Sequence, residues 1–374
     1  MLITLRLCSG RRHPERSRRI VFCSKRTNLL INYTYPLKVI SKIREKKIKM
    51  KKRLFSGIQP SGEVHIGNYL GAIKNWISLL DDYDCIFSIV DYHAITIEYD
   101  PGIMQERIIN AAATNIAAGL DPDKCIIFVQ SQVPEHTELT WILNSLTPMG
   151  ILERMTQFKD KAQQNEKNIN VGLFDYPVLQ TADILLYKGQ AVPVGEDQVQ
   201  HIELSREIAR KFNTRYGELF PEPQHLLSNA PRIMGLDGKN KMSKSMNNYI
   251  SLIEEPEAIW KRLSRAVTDE NRKRRDDPGN PDICNVYTLH KYFSTDTELE
   301  RINKECRSAE IGCVDCKRIL SDNMIKDLAP IREKSLELIN NPDQVKEALN
   351  AGAEKCKKIA EETMSEVRSL MGLR

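Results

Sequence analysis

No run of about eighteen apolar residues occurs in the 374-residue chain, which excludes a membrane-spanning helix. Internal repeats and low-complexity tracts are also missing. What remains is an ordinary globular composition, 41% hydrophobic and 28% charged, enough for two domains or one large one. Acid is almost absent from residues 1–49, which carry 14 Lys/Arg against Glu15 and Glu45 and lack the apolar core of a secretory signal. The overall charge of +5 therefore misleads: from Met50 onward 41 basic residues face 48 acidic ones, a net of −7. Contact with a polyanion must then come from a local basic patch.

Two readings fit the basic extension. It is either an organellar transit segment, for which basic, acid-poor composition is suggestive, or a stretch upstream of a true start at Met50. The second is favoured because Met50-Lys51-Lys52-Arg53-Leu54-Phe55 runs straight into the first strand. Either way disorder is expected before Met50.

From Arg53 to about Ala230, strand-like runs (Arg53 to Ile58, Cys85 to Val90, Cys125 to Val129) alternate with helical patterns (Tyr69 to Leu80, Met104 to Gly119, His201 to Phe212). That alternation predicts an α/β doubly wound parallel sheet with helices on both faces and ligands outside the carboxyl ends of the strands. Beyond Tyr249 strand signals fade, and helices are expected over 256–266, 298–307, 316–328 and 345–370. Gly279-Asn280-Pro281-Asp282 reads as a mobile connection.

Two motifs carry chemistry. Ser61-Gly62-Glu63-Val64-His65-Ile66-Gly67-Asn68 lies between a strand and a helix, so its glycines let backbone approach a phosphate at a helix N-terminus. Lys241-Met242-Ser243-Lys244-Ser245 places two lysines on a loop beside Gly235 and Gly238, able to swing inward and neutralise charge as pyrophosphate departs. Together they describe one ATP-handling site for adenylyl transfer. Each lysine alone would read as surface charge.

The pair resembles the two signatures of class I aminoacyl-tRNA synthetases. Gly57-Ile58-Gln59-Pro60-Ser61-Gly62 narrows the resemblance to tryptophanyl-tRNA synthetases of bacterial type, and the match continues through 90–96, 155–161, 183–187 and 192–198, covering residues 50–374. It implies a Rossmann-like catalytic domain over 50–248, an all-helical anticodon-binding domain over 249–374, and a cytoplasmic homodimer (in an organellar matrix if the extension is a transit segment). The partners implied are tRNA(Trp), L-tryptophan and ATP with Mg²⁺ held chiefly by phosphates.

In such a reaction the amino-acid carboxylate attacks the α-phosphorus of ATP, and the acyl group then passes to a tRNA ribose hydroxyl. A carboxylate is already nucleophilic, so no nucleophile-plus-base pair is needed and none is found. By resemblance His65, Asn68, Lys161, Lys241 and Lys244 supply donors and charge to the phosphates. The same resemblance assigns ATP to Gln59, Pro60, Ser61, Gly67, Asn68, Gly195, Asp197, Met242, Ser243 and Ser245, with Asp197 as ribose acceptor. Asp183, at the start of helix-like Asp183 to Tyr187, is assigned to the indole N–H; read alone it would be a helix N-cap. Gln59, Tyr176 and Gln198 are assigned to the α-amino and carboxylate groups, and Phe55, His93, Val192 and Val194 to the walls. Gln180 stands where some relatives have Met.

Cys284, Cys306, Cys313 and Cys316, separated by 21, 6 and 2 residues, suit Zn²⁺ or an iron–sulfur cluster equally by spacing, or are simply small buried residues. A subset of bacterial tryptophanyl-tRNA synthetases resembles this pattern and carries a [4Fe–4S] cluster. The basic stretch from Lys261 to Arg275 is either a solvated face or a tRNA phosphate contact. Competing functions are a tyrosyl-tRNA synthetase, a small-molecule nucleotidylyltransferase, and a non-catalytic tRNA-binding or iron–sulfur-sensing paralogue, whose ATP motifs would be degraded.

Overall fold

Apolar runs too short for helices and flanked by helical periodicity are resolved as parallel strands in the computed structural model, which describes residues 17–22, 31–36, 51–60, 62–156, 169–227, 233–244 and 246–373. The chain divides into two compact units, Met1–Lys51 and Lys52–Arg374. In the first, β1 (Ser17–Phe22) and β2 (Ile31–Pro36) pair antiparallel, Ser17 opposite Pro36. The remainder of the basic extension, with most of the disorder expected there, lies outside the described residues.

The second unit is built on β3 (Arg53–Ile58), β4 (Asp84–Ile89), β5 (Ile126–Val129), β6 (Ala191–Val194) and β7 (Gln224–Leu227). All are parallel in the order β5-β4-β3-β6-β7. The chain winds outward from β3 through β4 to β5, then returns to the other side of β3, so the winding direction reverses between β3 and β6. Crevices at such reversals, outside the carboxyl ends, are where open α/β sheets bind ligands.

The helices among the described residues are α1 (Ile66–Asn68), α2 (Lys74–Leu79), α3 (Asp91–Ala94), α4 (Met104–Ala117), α5 (Glu135–Asn144), α6 (Met149–Leu152) and α7 (Val171–Leu186). They continue as α8 (Val199–Tyr216), α9 (Pro256–Ser264), α10 (Asn285–Phe293), α11 (Asp296–Arg307), α12 (Cys313–Asn340) and α13 (Pro342–Met371). Successive strand residues point to opposite faces, and both faces are covered. Leu54, Phe87 and Ile127 pack with α4 and with Leu338, Val345 and Leu349 of the last two helices. Phe55, Ile86 and Phe128 pack with α5, α7 and α8, and with Ala353, Cys356, Ala360, Met364 and Val367 of α13. A third core joins Ile66, Leu70 and Ile73 to Ile250, Leu252, α9, α10 and α12.

The region beyond Tyr249 is helical, as its periodicity predicts; the short α10 was not foreseen. Gly279 and Asn280, read as part of a mobile connection, are tied down in the structure: Gly279 N–H donates to Cys306 O at 2.9 Å and Asn280 N–H to Asp269 Oδ2 at 2.8 Å.

α13 crosses β5 at Gly352, where a Cβ would stand 2.0 Å from the carbonyl oxygen of Ile127. Exposed helical Gly→Ala changes stabilise by about 1 kcal/mol. Gly352→Ala is expected instead to destabilise by about 1–3 kcal/mol through overpacking against backbone, read as a lowered urea midpoint.

Candidate active site

A cavity of about 370 Å³ opens between the carboxyl ends of β3 and β6. Phe55 and Gln59 line it from β3 and its exit, and Val192, Val194, Gly195 and Gln198 from β6 and the turn that follows. His93 reaches it from α3 after β4, and Tyr176, Gln180 and Asp183 from α7. All eight residues the sequence assigns to the amino acid thus line one cavity. Gly71, Ala72, Asn75 and Trp76 also line it and went unforeseen. Gly71 and Ala72 belong to a π-helical turn, Tyr69–Ile73, that follows the first motif. Such turns recur at functional sites because the widened backbone displaces side chains from the regular ladder.

Asp183 is only 1% exposed and sits well inside α7, not at a helix start as its local sequence suggests, because the helix begins twelve residues earlier at Val171. A buried carboxylate must be fully paired. Its Oδ2 meets His93 Nε2 at 2.8 Å, and its Oδ1 meets Gln130 Nε2 and His136 Nδ1, each at 2.7 Å. Burial alone would raise its pKa, but the bonds from His136 and His93 outweigh that and hold it down to about 2. The carboxylate is therefore ionised at neutral pH. His136 turns its other nitrogen to Tyr187 OH at 2.7 Å, and Tyr187 stacks on Phe55 with ring centres 5.6 Å apart. Tyr176 OH bonds His201 Nε2 at 2.9 Å, which fixes the phenol at the cavity wall. Gln130 and His136 escaped sequence reasoning; the signal that could have found them is their place just after β5, at the ligand-binding end of the sheet.

The two distant motifs meet. His65 caps α1, its Nδ1 accepting from Asn68 N–H at 3.3 Å while Asn68 Oδ1 accepts from His65 N–H at 3.2 Å. That arrangement puts the imidazole proton on Nε2 and leaves the Asn68 NH₂ as a donor. Burial, then the charges of Lys244 and Lys241, lower the His65 pKa to about 4, so the ring is neutral. A Cβ on Gly67 would lie 3.0 Å from the His65 ring and 3.2 Å from Met242, so glycine lets the two motifs approach without either side chain having to give way. Lys244 crosses Gly62, itself at φ +106°. Burial lowers Lys244 to about 8, so its charge is present below that pH and is lost as pH rises through it.

The second motif is knit by side chains the sequence does not flag. Asn248 Oδ1 accepts from Ser243 N–H at 2.8 Å, and its Nδ2 donates to Asp237 Oδ2 at 3.0 Å. A Cβ on Gly235 would fall 2.0 Å from that Nδ2. Bonds to Asn240, Asn248 and two backbone N–H groups hold Asp237 down to about 2 against its burial. Near β6, Gln198 Nε2 donates to Asp197 Oδ2 at 3.1 Å. Ser61, Lys161 and Ser245 lie outside the described residues.

Among the described residues no group of three or more His, Cys, Asp or Glu is arranged to hold a metal ion. Cys284, Cys306, Cys313 and Cys316 nevertheless line one small cavity with Arg272. Arg272, part of the stretch read as a solvated or tRNA-facing run, instead turns inward: Nη1 stands 3.9 Å from the sulfurs of Cys306 and Cys313, and Nη2 donates to Ile311 O at 3.0 Å. Burial and the neighbouring cysteines push Cys316 up to about 12.

The sequence profile described as tRNA synthetases class I (W and Y) matches residues 46–329, and the chain belongs to that family. Within it, the similarity runs to the tryptophan branch. The tryptophan–tRNA ligase of Deinococcus radiodurans is 50% identical over 325 residues, covering 86% of this chain and 98% of that one. That of Wolinella succinogenes is 45% identical over 329 residues, covering 87% and 99%. The solved tryptophanyl-tRNA synthetase of Campylobacter jejuni, complexed with ADP and tryptophan, superimposes with a TM-score of 0.79 at 37% identity, covering 86% of this chain and 100% of that one.

Because Asp183 is depressed in the folded state, it adds stability above its ordinary pKa of 3.8 that is lost as pH falls toward about 2. Urea unfolding of Asp183→Asn is expected to show a flatter decline in stability across that window than the parent protein; parallel curves would contradict the ionised pairing.

Proposed function

We infer that this chain is a tryptophan–tRNA ligase. It activates tryptophan with ATP to tryptophanyl-adenylate and pyrophosphate, then transfers the acyl group to the 3′-terminal ribose of tRNA(Trp). The observation that carries the reading is an ionised carboxylate, Asp183, in the wall of a largely apolar cavity beside two joined ATP signatures. An indole offers one N–H to such a site. A phenol has its donor elsewhere, and a buried acceptor left unpaired gives strong discrimination.

In this reading Asp183 accepts the indole N–H, Phe55, His93, Val192 and Val194 enclose the ring, and Gln59, Tyr176 and Gln198 hold the α-amino and carboxylate groups. Convergence of all eight on one cavity supports it. ATP lies across Gly67, Gly195 and the Lys241–Lys244 loop, its ribose on Asp197. His65 and Asn68 donate to phosphates, and Lys241 and Lys244, with Lys161, stabilise the charge gathering on departing pyrophosphate. Mg²⁺ arrives with the nucleotide. Anticodon contacts fall to residues 249–374, and the reaction runs in the cytoplasm, or in an organellar matrix if residues 1–49 are a transit segment.

The working form is a homodimer. Trp141 on α5, Met149 on α6 and Val171 on α7 are 78%, 67% and 79% exposed, and α5 and α6 both pack on α7, so these helices offer exposed apolar side chains of the kind a second copy would cover.

The four cysteines hold a [4Fe–4S] cluster in this reading. Four thiols around one cavity match its donor set, Arg272 balances ligand charge, and the raised thiol of Cys316 means that a bound cation must drive ionisation. When bound, the cluster would staple α11 and α12 to the segment before α10.

Exchange of labelled pyrophosphate into ATP, run in parallel with all twenty amino acids, is expected with tryptophan alone; exchange led by tyrosine overturns the specificity, and none overturns the activity. Anaerobically purified protein is expected to be brown with about four irons per chain, and a colourless protein with stoichiometric zinc would replace the cluster with a structural zinc site.

A further inference from the structure

Two of the three partners of Asp183, both on Oδ1, have the proton they offer it fixed by their surroundings. Gln130 Oε1 accepts from Tyr92 N–H at 3.1 Å, so its NH₂ end must face Asp183 Oδ1, 2.7 Å away. The ionised carboxylate accepts only, so His136 Nδ1 carries a proton toward the same oxygen at 2.7 Å. In the tautomer with that proton on Nδ1, Nε2 accepts from Tyr187 O–H at 2.7 Å, and burial, which pushes the phenol well above its ordinary range, keeps the phenolic proton in place. Tyr187 also pairs with the thiol of Cys356 on α13. His136 is fully enclosed, stacked on Phe128, and does not line the cavity. Oδ1 therefore has both its acceptor directions filled from behind the wall, while Oδ2 faces His93 and the cavity.

We propose that His136, backed by Tyr187, is a positioning residue for amino-acid selection: by filling Oδ1 it fixes the carboxylate so that the remaining acceptor direction, on Oδ2, is the one an indole N–H meets. The proposal rests on the tryptophan reading of the cavity. Without the imidazole donor, Oδ1 has an unpaired acceptor direction and the carboxylate can turn about its Cβ–Cγ bond, so the premium on an N–H donor falls. Tyr187 acts one step further back, holding the tautomer that keeps the proton on Nδ1. Neither side chain touches the substrate.

The test is pyrophosphate exchange by the full chain carrying His136→Leu, His136→Asn or Tyr187→Phe, with L-tryptophan and with β-(3-benzothienyl)-L-alanine, which has sulfur in place of the N–H. His136→Leu is expected to lower kcat/KM for tryptophan on the order of 10- to 100-fold, the range for a lost hydrogen bond to a charged group. The benzothienyl analogue and the KM for ATP should change little. His136→Asn, whose amide nitrogen can overlie imidazole Nδ1, should recover most of the preference, and Tyr187→Phe should lose part of it. Equal losses on both amino acids, or an unchanged preference, overturn the proposal. Should His136→Leu not fold, Tyr187→Phe removes only one hydroxyl and decides alone. A parent protein inactive with tryptophan overturns the substrate reading and the proposal together, whereas an active parent with indifferent variants overturns the proposal alone.

Discussion

A full negative charge enclosed in the core is the constraint around which this site is organised. Leaving a buried carboxylate unpaired costs several kcal/mol, about as much as the net stability of many domains. Three elements therefore converge on Asp183: α3 brings His93, the exit of β5 brings Gln130, and α5 brings His136. The strand order that sets β3 between β4 and β6 makes the convergence possible, because the loops leaving β3, β4, β5 and β6 all open at one end of the sheet. The apolar walls and the polar anchor thus share one origin in topology.

The nucleotide side depends on a different joint. His65 and Lys244 are far apart in the chain, yet Ile66 N–H donates to Ile250 O and Leu252 N–H to Val64 O, stitching the first motif to the segment just after the second. Asn248 then spaces that segment from Lys241 through Asp237, and glycine at 235 leaves room for it. Neutral His65 and charged Lys244 follow from this crowding: burial and like charge remove the proton from the imidazole, while the ammonium keeps its own near neutral pH.

Much of the fold could be read from sequence because its signals are local. Arg53–Ile58 and α4 are apolar runs and helical periods that tertiary contacts only complete, and β4 and β5 fall within a residue of expectation. The cavity's walls were legible too, since each assigned residue sits in a motif carrying its own context. His136 was not legible, because a histidine on an ordinary amphipathic helix acquires meaning only when α7 packs beside it. Asp183 misled for the same reason: a cap-forming residue type lies inside a helix because Val171 to Ala182 extends α7 on its amino side. Arg272 reads as solvated charge until the fold of 269–280 turns it toward sulfur.

The crossing of α13 over β5 at Gly352 bears on how the chain can be made. Ile127 and Phe128 meet α4, α5, α7 and α8 earlier, but their cover is completed on a ribosome only with the final thirty-residue helix, some two hundred residues after the strand itself. Such remote closure raises the loop entropy paid before the core is sealed, and it leaves the nascent sheet dependent on holding factors during synthesis.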